Sequence, residues 1–159
     1  MITLKNIKHS AFASQETHCY EATVYFNGKK AGIVGNQGHG GCDDEHRTDP
    51  EVWAAMEAYI KTLPMRKPDW LDEEDHEGFP ASLEVICGGL VNEWLVTKDL
   101  KRLLKSRVVF IRDGKTFQTN KAPNAAALAK WVAEYDAKKD CITLNSLPLA
   151  NAIKLFGGK

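Results

Sequence analysis

The chain reads as an α+β fold in which antiparallel β-hairpins pack against three to four helices, in a single domain covering residues 1–159. Three observations predict this. Asn27-Gly28 and Asp113-Gly114 each lie between runs of β-branched and aromatic residues; a type I′ hairpin turn needs positive φ at both central positions, which these residue types tolerate. Several other segments repeat apolar residues at the i, i+3, i+4, i+7 spacing of a helix. Hairpins and helices follow one another in blocks, without the regular alternation of a parallel sheet.

Taken in order, Ile2 and Leu4 share one face of a first strand over residues 2–8, and Ile7 has the wrong parity, so the strand is expected to end or bulge there. Residues 9–18 are small and polar and read as a loop. Residues 19–26 form a strand with Ala22, Val24 and Phe26 on one face, and the chain returns from Lys30 to Val34. The stretch from Gly35 to His46 then reads as one long loop. Thr48-Asp49-Pro50-Glu51 offers an N-cap, a first-turn proline and a glutamate placed for a capping box. Val52, Met56, Tyr59 and Leu63 follow at helical spacing, and Pro64 ends the helix.

Residues 64–80 hold three prolines around the acidic run Asp72-Glu73-Glu74-Asp75-His76-Glu77 and read as an exposed connector in which Trp70, Leu71 and Phe79 pack. A strongly apolar helix is expected over residues 83–105. Its Gly88-Gly89 pair, costing about 2 kcal/mol of helix propensity, implies a close crossing or a break. A strand over 107–112, a return over 115–119, a helix over 124–137 and a short strand over 141–144 follow. Ser146 is placed to cap a last helix through Leu149, Ile153 and Phe156.

Composition narrows the function. Twenty-one basic residues balance 21 acidic ones, which argues against a dedicated nucleic-acid binder and against a wholesale acidic mimic, while leaving local patches open. No apolar run approaches the roughly 18 residues of a membrane span. Met1-Ile2-Thr3-Leu4-Lys5 enters polar sequence at once, with no signal-peptide pattern. Cys19, Cys42, Cys87 and Cys141 are scattered, so free thiols in a cytoplasmic setting are expected.

The chemistry concentrates in residues 35–46, which hold four of the twelve glycines. A glycine loop after a strand can converge its amide N–H groups on a phosphate, and the N-terminus of the following helix would add positive potential. The candidate binding set is Asn36, Gln37, Gly38, His39, Gly40 and Gly41, with Trp70 of the connector as a stacking platform. The loop has neither the GxGxxG nor the GK[ST] fingerprint, so tight turns are the ordinary alternative. His39, Cys42 and His46 have ligand spacing for zinc, with His18 or Cys19 as a fourth donor, although no second tight pair completes the set. An enzyme reading would use His39 as general base or Cys42 as nucleophile, oriented by Asp43, Asp44 or Glu45. The acidic run 72–77 suits a basic partner or a divalent cation, but it lacks EF-hand spacing and reads first as a solvated connector. Lys98, Lys101, Arg102, Lys105 and Arg107 could meet phosphates or simply complement a helix dipole.

Lys5-Asn6-Ile7-Lys8, Ala11-Phe12-Ala13-Ser14, the hairpin through Asn27-Gly28-Lys29, Asn36 to Cys42, Leu95 to Leu104 and Val108 to Arg112 together resemble a family of small uncharacterised proteins encoded in phages and prophages. Gly38-His39-Gly40-Gly41-Cys42 is the most distinctive part. The resemblance implies a phage accessory protein in the cytoplasm of a bacterial host; since the family has no established activity, no catalytic residues carry over from it. The expectation is a non-enzymatic factor, acting against a host defence, that sequesters a small nucleotide-like ligand in the glycine loop. The alternatives are an inhibitor that docks on a host protein complex through the acidic connector or a sheet edge, and a zinc- or histidine-dependent enzyme. Homo-oligomerisation is left open.

Overall fold

The structure is a computed structural model that describes residues 1–65 and 78–157. Trp70, Leu71 and the acidic run 72–77 therefore lie outside the described residues. The fold class is α+β, with a four-stranded and a three-stranded antiparallel sheet and four α-helices among the described residues. Contacts within the chain gather into two compact units, Met1–Val91 and Asn92–Lys159. No helix among the described residues is long and apolar enough to cross a membrane.

In the first unit, β1 (Ile2–Ser10), β2 (Cys19–Phe26), β3 (Lys29–Asn36) and β4 (Asp44–Arg47) form an antiparallel meander in that order. Strand β1 does bulge at the expected place. Its register with β2 shifts between Lys5 and Lys8 around Asn6, whose φ is +54°, and pairing then resumes to Ser10. Asn27 and Gly28, at φ +48° and +82°, make the β2–β3 turn. One sheet face carries Tyr20, Ala22, Val24, Ala31 and Val34, all buried. Against it lies α1 (Pro50–Ile60) through buried Trp53, Met56 and Ile60, each contributing about 1.5–3 kcal/mol by leaving water.

Two details of α1 differ from the sequence reading. Asp49 is the N-cap and accepts from the amides of Glu51 and Val52, which puts Glu51 one position short of a capping box. The buried row runs through Trp53, the expected Met56, and Ile60, and Tyr59 is left 38% exposed beside Phe26. Trp53 wins the inward position because it is the larger apolar surface and its indole N–H can still reach Glu57 at 2.9 Å. Glu57 also holds Arg47 of β4 at 3.0 Å. Phe79, expected to pack, is half-exposed.

Helix α2 (Leu83–Leu104) is unbroken, and the boundary between the units falls within it. Its first half buries Leu83, Cys87 and Val91. In the second unit β5 (Val109–Arg112) is central, flanked by β6 (Lys115–Gln118) and the two-residue β7 (Ile142–Thr143). Asp113 and Gly114, at φ +50° and +70°, turn β5 into β6. Buried Leu100, Val109, Leu144 and Ala152 form one core, ringed by Leu103, Leu104, Ile111, Leu147, Ile153 and Phe156. Phe110, the neighbour of Val109 and so on the opposite sheet face, has Phe117 at 5.6 Å and Tyr135 of α3 (Ala125–Asp136) at 4.6 Å. The Asn145 side chain accepts from the Val109 amide and donates to the Arg107 carbonyl, both at 2.9 Å, where β7 is too short to continue the ladder. Ser146 does not cap α4 (Leu149–Phe156); its hydroxyl donates to Asp136 at 2.6 Å, and Pro148 holds the N-cap position.

Gly88 and Gly89 do not break α2, and among the described residues they mark no close crossing. A Cβ at either position would meet nothing within 4 Å among the described residues. Gly88→Ala and Gly89→Ala are therefore each expected to stabilise the protein by about 1 kcal/mol, the helix-propensity difference. Urea unfolding reads this directly, and a loss of stability in both variants would mean that something does pack there.

Candidate functional site

The expected loop over residues 35–46 is shorter in the structure. Gly35 and Asn36 belong to β3, and Asp44 to Arg47 form β4, leaving Gln37 to Asp43 as the connection. β4 escapes sequence patterning because all four of its side chains are exposed. An edge strand with charge on both faces has no apolar alternation to detect.

Asn36 organises the connection. It is a buried polar residue, 7% exposed, and each end of its amide is engaged. The oxygen accepts from the Gly38 amide at 2.9 Å and from the Thr17 hydroxyl at 2.5 Å. The nitrogen donates to the Gly41 carbonyl at 3.2 Å and to an Asp43 carboxylate oxygen at 3.1 Å. The other Asp43 oxygen accepts from the hydroxyl of buried Tyr20. A buried amide left without such partners would cost about 1–3 kcal/mol, so the network dictates the path of the loop.

The same network binds a second loop, Ala11–His18, which joins β1 to β2. The Gly38 carbonyl accepts from the amides of Gln15 and Glu16 at 2.9 and 3.0 Å. The Gly40 amide reaches the Thr17 hydroxyl at 3.4 Å, and His39 Nδ1 meets Gln15 Oε1 at 3.3 Å. Ser14 ties the second loop to itself, donating to the Ser10 carbonyl at 2.7 Å and accepting from the Cys19 amide at 2.9 Å. Gly38 is where the loops touch most closely. Its φ is +87°, and a Cβ there would lie 2.0 Å from the Ala13 carbonyl oxygen. The two loops form one clasped lobe, and at its tip Phe12 is 98% exposed.

The candidate residues thus fall into distinct places. Asn36, Gly38 and Gly40 are internal fasteners, and two amides that an anion would need already donate to Asn36 and Thr17. Gln37, His39, Gly41 and Cys42 are exposed. His39 faces Gln15 rather than an acid, while Asp43 serves Tyr20 and Asn36. His46 sits in β4 opposite Ile33. Among the described residues no three or more His, Cys, Asp or Glu side chains gather in a way that could hold a metal ion, so His39, Cys42 and His46 are not brought together. The α1 N-terminus, a proposed source of positive potential, is closed by Asp49. A pocket of about 270 Å³ is lined by the candidates Asn36 and Gln37 together with Glu21, Gly35, Asp44, Glu45 and His46, among others. Its acidic wall repels an anion.

Sequence reasoning missed Thr17, Tyr20 and Phe12. Thr17 and Tyr20 act through partners 19 and 23 residues away, which no local pattern reveals. Phe12 carried a usable signal, a single aromatic among small polar residues.

Beneath the lobe, Cys87 is fully buried, and burial followed by the Asp43 and Glu45 carboxylates pushes its thiol from the ordinary 9.0 up to about 12. Burial, then the hydrogen bond to Asp43, likewise raises Tyr20 above its ordinary 10.0. Both groups are held neutral in the fold and ionise more readily when unfolded. Their stabilisation is complete below pH 9 and is lost as pH rises towards the folded values, at about 1.4 kcal/mol per pH unit for each group that has passed its unfolded pKa. Denaturation measured between pH 8 and 11 is expected to show stability falling from about pH 9, with the onset moved to about pH 10 in Cys87→Ala. An unchanged onset in that variant would exclude the thiol as the cause.

The clasp has its own signature. Gly38→Ala is expected to speed hydrogen exchange at the Gln15 and Glu16 amides, because the new methyl collides with Ala13. Gly41→Ala, at φ +85° but with nothing within 4 Å of its Cβ, is expected to cost only about 1–2 kcal/mol and to leave those amides protected. Equal exchange in the two variants would contradict the clasp. No protein-family model, curated protein or solved structure matches this chain.

Proposed function

We propose that this is a non-enzymatic interaction protein whose clasped lobe docks Phe12 into an apolar pocket of a partner protein. The observation that supports this most is an aromatic side chain left 98% in water on a loop that hydrogen bonds hold from both sides. A preordered aromatic anchor loses little conformational entropy on binding and is the type of residue that dominates interface energy. Ordinarily a loop phenylalanine folds back onto its own domain; here the fasteners run through Ser14, Gln15, Glu16 and Thr17 and leave Phe12 outside.

Charge suggests the rim of the partner. Up to Val91 the chain carries fifteen Asp and Glu against eight Lys and Arg. Glu16, Asp44 and Glu45 are exposed in or beside the lobe. An apolar pocket with a basic rim would complement it. An inhibitor of a host complex, encoded by a phage, is the setting this reading favours, and the resemblance around Gly38 to Cys42 is what supports that setting. Sequestration of a nucleotide-like ligand is less well supported, because the Gly38 and Gly40 amides are engaged internally and Glu21, Asp44 and Glu45 line the adjacent pocket.

Affinity capture from bacterial lysate with quantitative mass spectrometry tests the proposal against two variants. Phe12→Ala is expected to reduce recovery of the partner at least tenfold while its thermal midpoint stays that of the wild type. Phe117→Ala, an exposed aromatic of β6, is expected to leave recovery unchanged. Identical recovery with Phe12→Ala would overturn the proposal, and a thermal shift with a nucleotide would return the reading to a small ligand.

A further inference from the structure

The neutral balance of the whole chain conceals a separation of charge. From Asn92 to Lys159 there are thirteen Lys and Arg against six Asp and Glu, a surplus of seven in the second unit. The first unit carries the opposite surplus, eight basic against fifteen acidic residues. A domain with such a basic excess attracts polyanions at a distance.

The excess has a geometric focus. In α2, Trp94, Lys98, Lys101 and Arg102 follow at intervals of four, three and one residues, and Lys105 lies just beyond the last turn. That spacing lines all five along one helix face. Leu100, Leu103 and Leu104, lying between these positions, pack into the core of the unit, which keeps the stripe turned outward. The four cationic side chains are exposed. Lys98, Lys101 and Lys105 have no ion pair among the described residues, and Arg102 has only an exposed one, to Asp99 at 3.4 Å. Lys98 Nζ stands 4.7 Å from the centre of the half-buried Trp94 ring. At the C-terminal end of the stripe the Ala122 amide donates to the Ser106 carbonyl at 2.7 Å, which brings exposed Lys121 to the same corner. By helical rise the stripe from Trp94 to Lys105 is about 16 Å long, close to five nucleotide steps of about 3.4 Å.

We infer that this face of α2 binds single-stranded nucleic acid, with Lys98, Lys101, Arg102 and Lys105 on phosphates and Trp94 against a base. An aromatic at one end of a cationic track suits a strand whose bases are free to stack, which a duplex does not offer. A membrane surface fits less well, because the apolar side of the helix is already buried in the unit and has nothing to insert.

Fluorescence anisotropy of a labelled fifteen-residue oligothymidylate, titrated with the full chain at several salt concentrations, tests this. Binding is expected at low salt, with a slope of log K against log[salt] of about −3 for four phosphate contacts on a single strand. The double variant K101E/K105E is expected to bind at least tenfold more weakly, and K101Q/K105Q to fall between it and the wild type. K29E/K30E, a charge reversal of the same size in β3, is expected to bind like the wild type. Absence of binding at low salt, undiminished binding by both α2 variants, or tighter binding of a duplex of equal length would each overturn the inference.

Discussion

A single buried carboxamide sets the shape of the candidate site. Asn36 ends β3 with its side chain inside the protein, where every polar atom must find a partner. The partners it finds are the Gly38 amide, the Thr17 hydroxyl, the Gly41 carbonyl and the Asp43 carboxylate. These belong to two loops, so satisfying one side chain determines both. The glycines follow from this demand. The chain must curl back over Asn36 within a few residues, and Gly38, Gly40 and Gly41 all take positive φ to do so. The glycine run that reads in sequence as a phosphate cradle covers a buried polar group. Tyr20 and Cys87 beneath it are held neutral by the same enclosure.

Much of the fold was legible because its signals are local. Turn chemistry located both hairpins, since Asn27-Gly28 and Asp113-Gly114 adopt the positive φ they allow. Helical spacing located α1, α2 and α3, and the parity break at Ile7 foretold the bulge of β1. The misreadings arise where a tertiary competitor outweighs a local pattern. Trp53 displaces Tyr59 from the core because a larger apolar surface with one reachable acceptor is the better one to bury. Ser146 is drawn from the cap of α4 to Asp136. β4 has no pattern to read, since it is held by backbone pairing to β3 and by Arg47 reaching Glu57. In the candidate site the glycines and Asn36 were visible in the sequence but their purpose was not, because the groups they serve lie some twenty residues earlier in the chain.

The charge distribution teaches a related lesson. A net charge is a sum, and a sum near zero describes a chain of interleaved charges and a chain of two opposed halves equally well. Here the division falls inside α2, whose beginning belongs to the acidic unit and whose end carries the cationic stripe. A chain that engages a protein through its first unit and a polyanion through its second would bring those two partners together.

The clasp also separates what holds the lobe from what the lobe displays. Its closure relies on the Gly38 backbone and on the side chains of Asn36, Thr17 and Ser14. Phe12, Gln37 and Cys42 point into solvent and take no part in that closure. Substitutions at these three positions can change the chemistry of the tip with little effect on folding. A lobe built this way takes on a new surface by single mutations, its scaffold inherited intact.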